Sequence, residues 1–177
     1  MQKPTYAPSA WCLVLGPCGH GISFYTLYYT ETAGSGLLGD TPAIDAKGRF
    51  LWCANARKLE DVHDRVVKKL ARLGVTKTVT GTIDVGKVLS GLESEKEPAE
   101  LWGETIDLLN VIIDYLVFLP NDSEDKDTIM LLGDFSDHIF EGKALPQFYR
   151  DHDTSKRHII QIVLHSLHRI FENSVII

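Results

Sequence analysis

The chain has 177 residues, 44% of them apolar and 24% charged, a balance that suits one folded domain and argues against disorder. Its longest greasy stretch, 101–119, is interrupted by Glu104, Asp107 and Asp114, which excludes an ordinary membrane-spanning helix. The net charge of −6 conceals a split: residues 1–92 hold 11 Lys+Arg against 7 Asp+Glu, and residues 93–177 hold 7 against 17. An acidic surface is therefore expected on the C-terminal half, where it would repel nucleic acid and attract a basic partner.

Near the N-terminus, 10–15 and "ISFYTLYYT" (22–30) are rich in apolar, β-branched and aromatic residues and read as strands. "LGPCGHGIS" (15–23) lies between them, and its glycines and proline make it a natural hairpin loop. Cys18 and His20 stand two apart in that loop, too close on a tight turn for a productive nucleophile and base. The GxG pattern also lacks the remainder of a phosphate loop or a dinucleotide fingerprint, and it leads into a strand. Cys12, Cys18 and Cys53 are odd in number and without zinc-like spacing, so free thiols in a reducing compartment are expected. The first 21 residues carry one Lys, a short apolar run and no small-residue cleavage site, which adds the expectation of a cytoplasmic protein.

After a glycine-rich connection (33–48), "RFLWCA" (49–54) reads as a third strand, completing a three-stranded meander. The period then lengthens to a helical one. Leu59, Val62, Val66, Val67, Leu70 and Leu73 share a face, with Asn55 as N-cap and Gly74 as stop. "VTKTVTGTI" (75–83) returns to strand chemistry, and Asp84 caps a short helix through Leu92. The charged stretch 93–100 marks a boundary. Beyond it three helices are predicted, at 98–119, 128–140 with Gly142 as stop, and 154–172, the first two separated by a loop at "NDSEDKD" (121–127).

The predicted fold class is α+β: an antiparallel sheet of three or four strands with one packed helix, followed by a three-helix C-terminal part. Residues 1–92 form the sheet part and residues 93–177 the acidic helical part, both sharing one core.

Two further constellations bear on function. In 158–172, His158, Gln161, His165, His168, Arg169 and Glu172 fall on the polar side of an amphipathic helix. The spacing is not HExxH, and His158 and His165 lie about 10 Å apart along the axis, too far to chelate one ion. The face reads as solvated or partner-facing, with a pH-sensitive contact, or a metal site completed by Asp134, Asp137 or His138, as weaker readings. On the preceding helical stretch, Glu100, Glu104, Asp107 and Asp114 form a stripe without the Lys or Arg at i+4 that would neutralise it, and Asp122, Glu124, Asp125 and Asp127 follow. "DSEDKD" lacks the central Gly and distal Glu of an EF-hand loop.

No catalytic, cofactor or metal set is therefore assigned. The expectation is a soluble protein-binding module that uses those eight carboxylates to engage a basic protein. Its concrete form is an inhibitor or immunity protein that blocks a cationic nuclease-type toxin. The rival is a small hydrolase or transferase assembled from Cys18, His20, Asp134, Asp137, His138 and His165. A third reading makes Phe24, Tyr25, Tyr28 and Tyr29 an exposed interface between copies of the chain.

Overall fold

Strand chemistry in the N-terminal half supplies most of one sheet, and the buried faces of the helices that follow complete the core. The computed structural model describes residues 6–15, 22–26, 28–31, 41–42, 44–54, 78–94, 99–119 and 123–177. The opening loop with Cys18 and His20, and the helix predicted between Asn55 and Gly74, lie outside the described residues.

Strand β1 (Tyr6–Leu15) pairs antiparallel with β2 (Ile22–Thr26) and with β3 (Tyr28–Glu31). Leu15 stands opposite Ile22 and Tyr6 opposite Glu31, so β2 and β3 follow one continuous hairpin register. β4 (Thr41–Pro42) adds to β3, and β5 (Phe50–Cys53) adds antiparallel to β2, with Tyr25 opposite Cys53. The predicted meander β1-β2-β5 is thus present. The purely antiparallel sheet is not: β6 (Thr78–Asp84) runs parallel to β1, and β7 (Ser174–Ile176) runs parallel to β5. Parallel pairs require crossovers, which a reading of sequence-adjacent strands does not reveal. Just before β5, the Asp45 carboxylate accepts from the backbone N–H of Lys47 and of Arg49, and Gly48 takes a positive φ of 80° to close this turn.

Asp84 ends β6 and caps α1 (Val85–Glu93), its carboxylate accepting from Lys87 N at 2.9 Å. A short 3-10 turn, Ala99–Leu101, leads into α2 (Trp102–Phe118). The acidic segment expected to be a loop is instead largely helical, because α3 spans Ser123–Phe140. α3 stops where Gly142 adopts a φ of +67° and the N–H groups of Gly142 and Lys143 return to the carbonyls of Ile139 and His138. An unpredicted helix, α4 (Leu145–Asp151), precedes α5 (Lys156–Glu172), so the described residues of the C-terminal half form four α-helices where three were expected. No helix of the described residues is long and apolar enough to cross a membrane.

Aromatic contacts hold the layers together. On β5, Phe50 and Trp52 meet Tyr115 of α2 at ring-centroid distances of 4.7 and 5.4 Å, and Trp52 meets Phe171 of α5 at 4.7 Å. Phe24 of β2 lies 5.4 Å from Phe171, which directs that member of the aromatic strand at the helices rather than at another copy of the chain. A second cluster fixes α4 on α3: Phe148 lies 4.9 Å from Phe135, and the His138 ring donates from Nε2 to the carbonyl of Ala144 at 2.9 Å. Buried residues of β5, β6 and helices α1 to α5 join in one contiguous core.

Candidate functional site

The site grows from two helical faces. On α5, Ile159, Ile160, Val163, Ser166, Leu167 and Ile170 turn into the protein. Amphipathic periodicity then leaves His158, Gln161, His165 and His168 exposed. The helix is fixed at its start by Ser155, which accepts from His158 N at 3.2 Å. Lys156 reaches across to α1 and donates to the Ser94 carbonyl at 2.7 Å, supplying positive charge where the α1 dipole is negative. At the other end, His168 pairs with Glu172 at 3.3 Å in the open.

The first turns of α3 face this surface. Asp125 is only 1% exposed, although sequence placed it among exposed partner-binding carboxylates. Its two oxygens meet the guanidinium of Arg169 in a fork, with Arg169 Nη1 on Oδ1 and Nη2 on Oδ2, the latter at 3.1 Å. A carboxylate taken out of water needs such a partner, and the planar guanidinium satisfies both of its oxygens. The pair ties α3 to the end of α5. Above it opens a cleft of about 310 Å³, where Asp127 and Thr128 of α3 face His158, Gln161, His165 and Arg169 of α5.

Outward from the cleft, α3 presents Asp127, Asp134 and Asp137, all exposed. At 100° per residue these fall with Met130 inside an arc of about 80°, and the carboxylates extend over about 15 Å of helix. Met130 is 66% exposed in the middle of that arc, and Phe140, 80% exposed, flanks its far end. Glu141, just past the helix, continues the acidic line and pairs with Lys143. Asp134 also lies 3.4 Å from His152 Nε2.

Comparison with known protein families, curated proteins and solved structures finds no match to this chain.

The eight carboxylates predicted to form one binding face do not stay together as a free stripe. Glu104 is half-buried and pairs with Lys87 of α1 at 3.1 Å, a cation 17 positions earlier that a search at i+4 misses. Asp107 is half-buried as well, and its carboxyl is pushed above the ordinary range first by burial and then by the nearby charge of Glu104. Asp114 is half-buried, Glu100 exposed, and Asp122 lies outside the described residues. Glu124 belongs to the first turn of α3, and Asp127 remains exposed at the cleft. Asp134, Asp137 and Glu141, which sequence reasoning left out of the acidic face, join Asp127 on the outer side of α3. Helical periodicity through "DKDTIMLLGDFSDHIFE" carries that signal once the helix is started five residues earlier.

Of the residues named for a hydrolase, Cys18 and His20 lie outside the described residues, and the others are spread over several surroundings. His138 is buried against Ala144, Asp134 faces His152, and His165 lines the α3–α5 cleft. No group of three or more His, Cys, Asp or Glu among the described residues is arranged to hold a metal ion.

Proposed function

We propose that the chain is a protein-binding module that engages a basic protein through the outer face of α3. The observation that carries this reading is the exposed Met130 set among Asp127, Asp134 and Asp137, with Phe140 beside them. An apolar anchor supplies binding energy by desolvation, while surrounding carboxylates steer a cationic partner and reject an anionic one. The excess of acidic residues in the C-terminal half extends the same field over a wider surface. An inhibitor or immunity protein that covers the cationic nucleic-acid-binding surface of a nuclease-type toxin is the concrete form of this reading. Its ligand would be the toxin's Lys and Arg side chains, which normally neutralise phosphates.

The test is capture from native lysate by the immobilised protein at low and high salt, compared with Asp134→Lys/Asp137→Lys. A basic protein retained at low salt and lost in the reversed variant supports the reading. Retention of an acidic protein, or retention indifferent to both salt and reversal, contradicts it.

A further inference from the structure

We infer that the α3–α5 cleft is a receptor for one basic side chain, a guanidinium or ammonium group presented by the partner; this rests on the reading of the chain as a binder of a basic protein. Among the described residues Arg169 is the one formal cation of the lining, and the buried carboxylate of Asp125 already engages it through both terminal nitrogens. Among the described carboxylates and guanidinium of the lining, Asp127 is the charge beyond that pair, and it is negative. An incoming anion would sit against Asp127 and compete with Asp125 for Arg169, leaving a buried carboxylate uncompensated. An incoming cation meets neither obstacle.

The neutral groups fit the same occupant. Gln161 and Thr128 offer oxygen acceptors, and an imidazole in its neutral form, as at His158 or His165, offers one nitrogen lone pair. A guanidinium carries five N–H donors and is weakly hydrated, so it can use several of these acceptors together with the Asp127 carboxylate. The volume of about 310 Å³ lies at the small end for ligand sites and suits a side chain better than a folded segment. Position matters too. Asp127 belongs both to the cleft and to the outer face of α3, so a side chain entering here would dock beside the Met130 anchor in one continuous interface.

The experiment is an NMR titration of the whole protein at about pH 7.5, where imidazole is largely neutral, reading the ring resonances of His158 and His165. The probes are acetyl-Gly-Arg-Gly-amide, acetyl-Gly-Glu-Gly-amide and inorganic phosphate. The arginine tripeptide should shift both rings saturably with a Kd on the order of millimolar. Asp127→Asn should weaken it at least about fivefold, and Asp151→Asn, an exposed carboxylate on α4, should not. Shifts with phosphate or the glutamate tripeptide but not with the arginine tripeptide would overturn the assignment, as would a lack of response to every probe. Because the tripeptide needs no protein partner, failure here with capture intact removes the cleft site alone. Tripeptide binding by a protein that captures no basic partner removes the partner reading and leaves the cleft a cation site.

Discussion

Asp125 and Arg169 stand 44 positions apart in sequence and meet as a two-pronged ion pair between the start of α3 and the end of α5. The carboxylate is almost wholly buried, whereas the Arg169 side chain keeps 26% of its surface in solvent. Removing one partner of such a pair strands the other. Asp125→Ala is therefore expected to destabilise the protein by about 3 kcal/mol, near the low end for buried pairs because water can reach the orphaned guanidinium. Asp125→Leu/Arg169→Met should recover most of that loss, and urea denaturation of the single and double variants measures both effects.

Phe148 packs between Phe135 and the His152 ring, the latter stacked at 4.0 Å. Nothing else in α4 except Leu145 is fully buried. Phe148→Ala should cost about 3–5 kcal/mol, as large aromatic truncations in cores do. Hydrogen exchange should show the loss first in α4, since its attachment to α3 depends on that ring.

Lys156→Met removes the cation at the end of α1 while keeping the aliphatic stem. A cost of about 0.5–1 kcal/mol is expected from one charge-assisted hydrogen bond at a helix C-terminus. Amide exchange of the last turn of α1, before Ser94, should accelerate more than that of α2.

Asp107 gives a pH signature. Its carboxyl binds a proton more tightly in the folded protein than in the unfolded chain, chiefly through burial. Its contribution therefore favours folding at low pH and is lost as pH rises through the folded-state value. Ionised Asp107 opposes folding at neutrality. Asp107→Asn should raise the melting temperature at about pH 7, and the gain should shrink toward about pH 3.

Much of this architecture was legible where sequence signals are local. Asp84 announced the start of α1, Gly142 the end of α3, and the apolar and aromatic content of 22–30 and 49–54 the strands beside the core. The failures share a cause in contacts between distant residues. "NDSEDKD" has no apolar residue to mark a helical face, and its helical portion is held from outside by Arg169. α4 is two turns long, too short for periodicity to emerge, and is fixed by Phe135. β7 has three residues and exists through its pairing with β5. The same blindness affected the acidic stripe, where Lys87 approaches Glu104 from another helix. Counting carboxylates along the chain does not show which are paired across it: Glu104 meets Lys87 and Asp125 meets Arg169, while Glu100 and Asp127 stay exposed.

The role proposed for the outer face of α3 is to steer and hold a basic protein. Stopped-flow association with the captured partner, at about 0.05 and 0.3 M salt, tests it most directly, because screening slows steered encounter before it weakens packed contacts. The wild-type association rate should fall severalfold over that range. Asp134→Lys/Asp137→Lys should bind about tenfold more weakly at low salt while keeping its circular dichroism spectrum. An association rate indifferent to salt, together with unchanged affinity in the folded double variant, would contradict that role.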